Sequence, residues 1–206
     1  YAKFDEVKKI TDGLNQDKMD KVNPTGTGYF SLNRKADHTP GANSVAIGSQ
    51  TTASGNYSFA EGNTTIASGE GAHTEGYNTT ASGAYSHAEG YGCQTPGNYG
   101  HAEGQYTYAN KNCTHAEGHS TTADSDYQHV QGKYNIEDTT NTYAHIVGGG
   151  TDDSNRKNIH TLDWNGNAVF SGDVTATDSN GNTVSLLNST INSDTIVSVS
   201  NGGTGY

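Results

Sequence analysis

Ser86-His87-Ala88-Glu89-Gly90 is one copy of a phrase that returns every 14 residues between Ser44 and Gly132. Its glycine stands at Gly48, Gly62, Gly76, Gly90, Gly104, Gly118 and Gly132, with no slip in the spacing. The first copy, Ser44-Val45-Ala46-Ile47-Gly48, is the same phrase in apolar form. Self-similarity at a fixed period marks a repeat architecture. Before each glycine the residues alternate, so that Tyr85, His87 and Glu89 share one face and Ser86 and Ala88 the other. A second short strand follows, with Thr51, Thr65, Thr79 and Thr107 at one position and Ala53, Ala67, Ala81, Ala109 and Ala123 two further on. Turn glycines Gly55, Gly69, Gly83 and Gly97 complete the unit. Two strands and two turns in so few residues make one coil of a flattened β-solenoid. The small face must point inward and the Tyr/His/Glu face outward. At a strand spacing of about 4.8 Å, seven coils span roughly 30 Å.

The composition agrees. Only 30% of the 206 residues are hydrophobic and 16% charged, with 27 glycines and a mean hydropathy of −0.79. Such a thin interior buries little, and association with further copies of the chain is expected to supply the missing stability. A net charge of −11, with few clustered Lys or Arg, excludes nucleic acid and anionic membranes as partners. No apolar run approaches the roughly 18 residues of a membrane span, so membrane insertion is not expected. Because the chain starts at Tyr1 without a methionine, it reads as a fragment. Cys93 and Cys113 lie at different phases of the repeat and have neither metal nor disulfide spacing, so two free, buried thiols are expected.

Outside the repeats the chain divides as follows. Residues 1–22 carry Phe4, Val7, Ile10 and Leu14 at heptad-like spacing, which predicts a short N-terminal helix, a coiled-coil segment. Residues 23–43 form a connector in which Tyr29-Phe30-Ser31-Leu32 reads as a strand. The β-roll occupies 44–132. Residues 133–174 hold an irregular final coil, in which Tyr143-Ala144-His145-Ile146-Val147-Gly148 is an eighth copy two residues late, and a hairpin cap. The Asn165-Gly166 pair predicts a two-residue hairpin loop. Trp164 and Phe170 are the expected apolar core of the cap, since solenoid ends must be closed. Residues 175–206 hold C-terminal strands around Asn180-Gly181 and a flexible exit.

The Ser44–Gly48 phrase and its repetition resemble the head repeats of trimeric autotransporter adhesins. That resemblance implies an all-β, homotrimeric, left-handed parallel β-roll. The His-Ala-Glu-Gly variant and the segment Tyr143–Val174 look more like tail-fibre and appendage proteins of phages and prophages, some of which end in a self-cleaving assembly domain. The resemblances therefore imply a trimeric fibre segment of a virion tail that touches other tail proteins and contributes to binding a host-surface glycan or protein. The alternatives are an adhesin head at the bacterial cell surface and a self-processing assembly domain. No cleavage residue carries over.

The most conspicuous chemistry is the column His73, His87, His101, His115 and His129, with Glu61, Glu75, Glu89, Glu103 and Glu117 each two residues after the histidine position. Histidine and carboxylate are ordinary ligands for Zn or Ni, so these histidines are the residues that would hold a metal. Their recurrence with the coil favours a structural ladder instead, and no metal site is assigned. The expected trimer seam is the outward face: Val45, Ile47, Phe59, Glu61, His73, Glu75, His87, Glu89, His101, Glu103, His115, Glu117, His129 and His145. On this view acid below about pH 5 protonates the glutamates, breaks their pairing with histidine and loosens the trimer. Tyr57, Tyr85, Tyr99 and Tyr127 are placed on the same face as packing residues. Adhesive contact would use the positions after the anchor glycines, such as Tyr77, Tyr91, Gln105 and His119, but they vary too much to define a continuous site. No catalytic constellation, phosphate loop or cofactor motif is present, so no enzymatic activity and no cofactor are expected.

Overall fold

A computed structural model describes residues 30–34, 39–172, 174–177, 181 and 183–185. The helix expected within 1–22 and the tail beyond 185 lie outside these residues. Chain contacts divide the molecule into a unit ending at Val169 and one starting at Phe170.

The first unit is a parallel β-solenoid of about eight coils. One sheet stacks Val45–Ala53, Phe59–Asn63, His73–Thr74, His87–Tyr91, His101–Gln105, His115–His119, His129–Lys133 and Tyr143–Gly149 in parallel. The other stacks Ile66–Ala67, Thr80–Ala81, Gln94–Thr95, Tyr108–Ala109 and Thr122–Ala123, and joins the first through the long strand Val45–Ala53. Register puts like residues over like: His87 over His101, Ala88 over Ala102, Glu89 over Glu103, Gly90 over Gly104. The late copy keeps this register, with His129 over His145 and Gly132 over Gly148. At the other end Phe30–Arg34 adds a parallel strand, pairing Phe30 with Val45 and Leu32 with Ile47. The strand expected at 29–32 is therefore a further layer of the same stack.

The small face points inward. Ala60, Ala88, Ala102 and Ala116 are fully buried, as are Ala67, Ala81, Ala109 and Ala123 of the second sheet. Thr51, Thr65, Thr79 and Thr107 line the same interior. Cys93 takes the threonine position in its coil and its thiol reaches the Gly104 carbonyl at 3.3 Å. Cys113, expected to be buried, is exposed. It stands at a corner, where the backbone, not the repeat interior, sets its direction.

Those corners reveal a period that the residue types conceal. Positive φ occurs at Asn43, Gln50, Tyr57, Thr64, Gly71, Asn78, Tyr85, Gly92, Tyr99, Tyr106, Cys113, Ser120, Tyr127, Tyr134 and Asn141, one position in every seven. Each coil thus turns through two left-handed corners. The corner N–H groups donate back to the preceding coil, as Tyr85 does to the Glu70 carbonyl (2.7 Å) and Tyr106 to the Tyr91 carbonyl (2.8 Å). The strand hydrogen bonds run the opposite way, from His87 N to the Gly100 carbonyl of the following coil at 2.9 Å.

The anchor glycine is required for two reasons. Gly90 has φ +99, and a Cβ there would sit 2.2 Å from the Gly104 carbonyl oxygen. No side chain fits between coils at that point.

The last coil is closed by polar groups. Asn135 is fully buried, and its side-chain amide accepts from Thr122 N (2.8 Å) and donates to the Thr122 carbonyl (3.0 Å). Earlier coils fill these roles with backbone, as Thr65 does for Thr52 N at 2.8 Å. Gln128 accepts from Asp124 N at 3.1 Å and donates to the Tyr143 carbonyl at 2.9 Å. Asp138 accepts from Thr142 N and Tyr143 N, both at 2.8 Å. Burial raises the Asp138 pKa, but these bonds and those from Thr140 outweigh it and hold the carboxyl below its usual range. Arg156 donates to the Ser120 and Asn135 carbonyls. The exposed sheet edge, which would otherwise pair with another chain, is thereby satisfied.

Trp164 and Phe170, expected as the apolar core of the cap, fall in different units, Trp164 in the first and Phe170 at the start of the second. They are 48% and 52% exposed, and the Trp164 indole N–H donates to the Asn141 side chain at 3.2 Å. Side-chain amides can replace missing backbone partners, whereas an indole cannot, so polar residues close this end. The parallel stack finishes with Asn158–Asp163 pairing antiparallel to Tyr143–Gly149. The following loop is wider than the predicted two residues. Asp163 N donates to the Asn167 carbonyl (2.9 Å), and the Asp163 carboxylate accepts from Asn165 N and Asn167 N. In the second unit, Thr175–Thr177 pairs antiparallel with Thr183–Ser185, as the turn around Asn180-Gly181 predicts. Among the described residues no helix is long and apolar enough to cross a membrane.

Candidate functional site

The outward face of the first sheet carries the histidine and glutamate columns. Each coil contributes one of each because strand alternation places them two residues apart, on the side opposite the alanine core. The imidazoles stack with ring centroids 4.5 Å apart for His73 and His87, 4.9 Å for His87 and His101, and 4.7 Å for each of the next two pairs. Phe59 begins the column against His73, and His145 and His160 continue it beyond His129. All the seam residues named from sequence, Val45 and Ile47 through His145, are half-buried on this face. Gln131 and Val147 extend the glutamate column through the register of the last coils.

Histidine and glutamate meet between coils. His87 Nε2 lies 3.5 Å from Glu75 Oε1 of the preceding coil and 3.9 Å from Glu89 Oε2 of its own. The same step recurs for His101 and Glu89 (3.8 Å), His115 and Glu103 (3.7 Å), and His129 and Glu117 (3.6 Å). These separations exceed hydrogen-bond length. The Nε2 atoms of His73, His87, His101, His115 and His129 are buried without a hydrogen-bond partner. The expected ladder of donated hydrogen bonds is therefore not formed within one chain.

Beside the histidines runs a groove of about 650 Å³ lined by Glu75, Glu89, Glu103, Glu117, Gln131 and the anchor glycines. Exact stacking forces like charges together. Hydrogen bonding to Glu103 and Glu75, followed by burial, pushes the Glu89 carboxyl up to about 7. Glu103, at the other end of that bond, is held below the usual carboxylate range. Burial, then the charge of a neighbouring imidazole, lowers His87, His101, His129 and His145. These four imidazoles are thereby biased toward their neutral form, beside a Glu89 carboxyl that retains its proton near neutrality. Glu89 accordingly does not wait for pH 5 to protonate. Acid sensitivity falls to the lowered histidines and to Glu103, whose depressed carboxyl favours the folded state only while ionised.

The tyrosines are not on this face. Tyr57, Tyr85, Tyr99 and Tyr127 are left-handed corner residues, each more than half exposed. Tyr85 and Tyr99 stack at 5.7 Å. Glu70, 3.3 Å from the Tyr85 hydroxyl, raises that phenol through its charge and hydrogen bond.

Beside the opposite corner, Tyr77, Tyr91 and His119, named from sequence for adhesive contact but not as a continuous site, join a row with Tyr106 and Tyr134, which sequence reasoning missed. Tyr77 stacks on Tyr91 at 5.1 Å, and Tyr106 meets Tyr91 edge-on at 5.2 Å. His119 then meets Tyr134 edge-on at 4.9 Å. Gln105 breaks the simple period, and Tyr106, one residue later, takes over at the corner. Tyr106 and Tyr134 stand at the left-handed corner itself, whereas Tyr77, Tyr91 and His119 stand one residue before the corners Asn78, Gly92 and Ser120, so no single sequence period joins the row.

The stacked coils, the anchor glycine and the Val45/Ile47 face have a counterpart among known families. The YadA head domain repeat matches twice. The two copies cover residues 40–64 and 60–86, the apolar first coil and the transition to the His/Glu form. The start of the roll is thus similar to YadA head repeats, and the register shows the later coils to be stacked as the first ones are. No curated protein and no solved structure matches the chain.

Proposed function

We propose that this chain is the head segment of a trimeric adhesin displayed on a bacterial cell surface, with three copies joined along the Val45–His145 face. The observation that carries this reading is the YadA head repeat at residues 40–86, continuous in register with the remaining coils. It favours a surface adhesin over a virion tail fibre, for which the phrase at Tyr143–Val174 is the support. The seam assignment draws on the half-burial of that face, because imidazoles already stacked on one side need little further area to be covered.

Host contact, with a glycan or protein of a cell surface, falls to the corner columns at either end of the first sheet. The Tyr77 and Tyr91 planes lie within 11° of each other, so their faces are largely spent on one another. Ring edges and hydroxyls remain for a ligand, which suits hydrogen bonding better than face stacking.

Light scattering on the purified chain tests the assembly: three times the 21.6 kDa chain mass is expected, and a monomer at every concentration would refute the seam. Antibody labelling of intact source cells tests display. Recovery of the chain only with tail particles would overturn the adhesin reading.

A further inference from the structure

We propose that His115, Glu117 and His129 form a binding site for a divalent transition metal of the Zn2+ class, built between two adjacent coils of one chain. One ligand atom from each residue lies within 4.8 Å of the others. His129 Nε2 and Glu117 Oε1 are 3.6 Å apart, and Glu103 Oε1 stands 3.7 Å from His115 Nε2 on the other side. These separations are too long for hydrogen bonds, yet they match the edge of a coordination tetrahedron. Ligands held at about 2.0–2.2 Å from Zn2+ are roughly 3.3–3.6 Å from one another.

Both nitrogens are unused. The His115 and His129 Nε2 atoms are buried and have no hydrogen-bond partner, although a buried polar atom is ordinarily satisfied. A metal ion satisfies both at once. The two imidazoles are stacked parallel to within 5° at 4.7 Å, so closing on an ion requires both rings to turn out of the stack until their in-plane Nε2 lone pairs converge. Two histidines and a carboxylate, with an open fourth position, are a recurring Zn2+ donor set. Nitrogen donors select Zn2+, Ni2+ or Cu2+ over Ca2+ and Mg2+, which prefer oxygen.

The groups Glu75–His87–Glu89 and Glu89–His101–Glu103 repeat the arrangement with one nitrogen each. They share Glu89 and are poorer in the donor that confers affinity, so His115–Glu117–His129 fills first. Recurrence of the coil, which suggested a purely structural ladder, is also what brings ligands from successive coils to one point. The site needs no second chain, and metal uptake and trimer mass are separate measurements.

The test uses the full chain, stripped with EDTA and free of any affinity tag. Calorimetric titration with ZnCl2 should show one saturable site per chain at micromolar metal, and CaCl2 should show none. CoCl2 should produce the visible d–d absorption of a four-coordinate nitrogen and oxygen site. His129→Phe, which copies what the roll carries at Phe59, should abolish the saturable site. Glu117→Gln should weaken it by at least the roughly 10–100-fold that losing an outer-shell partner costs. Circular dichroism of both variants monitors folding. Absence of saturable Zn2+ uptake by the native chain overturns the proposal. So does unchanged binding in both folded variants, or a thiolate charge-transfer band placing cobalt on Cys113.

Discussion

A Cβ built on Gly90 would lie 2.2 Å from the carbonyl oxygen of Gly104, one coil away. The repeat is therefore set by backbone-to-backbone contact, and the anchor glycine is a requirement of stacking. Gly90→Ala adds left-handed strain to overpacking and should cost roughly 2–6 kcal/mol. Thermal or denaturant unfolding of the variant checks this, and a loss below about 1 kcal/mol would contradict the close approach.

Asn135 replaces a strand with a side chain. Its amide pairs with both backbone groups of Thr122, so Asn135→Leu leaves a buried donor and acceptor unsatisfied. The expected loss is about 1–3 kcal/mol for each group abandoned. The freed edge should also raise the tendency to aggregate, which light scattering during mild heating would detect.

Cys113 and Cys93 should differ sharply toward a thiol reagent. Cys113 is exposed and Cys93 is buried, so one thiol per native chain should react at once and the second only on unfolding. Cys113 also has φ 55. Cys113→Gly relieves roughly 1–2 kcal/mol of left-handed strain, partly offset by about 0.5–1 kcal/mol of glycine entropy. The melting temperature should hold or rise. Two reactive native thiols would contradict the corner placement.

Acid and alkali act on this roll through different columns. His87, His101, His129 and His145 have folded pKa values below their ordinary 6.5. Their contribution to stability is complete above 6.5 and declines as pH falls below it, since the unfolded chain then binds more protons. Glu89 has the opposite sign. Raised from 4.5 to about 7, it favours the folded state below 4.5, and that advantage is lost as pH rises through 7. Glu75, Glu103 and Glu117 face the same histidines and oppose their shifts in part. In EDTA-treated protein, Glu89→Gln should raise the melting temperature at pH 8 and change it little near pH 4.5. The variant itself should melt lower at pH 5 than at pH 7. Equal displacement of the melting curve by Glu89→Gln at both pH values would rule out the shared proton.

The 14-residue period by itself determined the coil, the inward alanine face and the vertical register, because each depends only on strand alternation and residue size. Composition added that the interior is thin. What lay beyond it was decided by contacts between coils. Tyr85 alternates with His87 in the sequence, yet the corner φ turns it out of the strand, and alternation cannot register a change of backbone region. Trp164 looked like a cap because it is large and apolar, while Asn135 and Gln128 do the capping because an open sheet edge needs donors and acceptors. The row Tyr77, Tyr91 and Tyr106 crosses the period by one residue and becomes continuous only when the corners are folded. In the same way, the phrase Ser-His-Ala-Glu-Gly placed histidine and glutamate on one face. Only the stacking of coils brought His129 beside Glu117, since residues so far apart in sequence meet when backbone hydrogen bonds set the rise from one coil to the next.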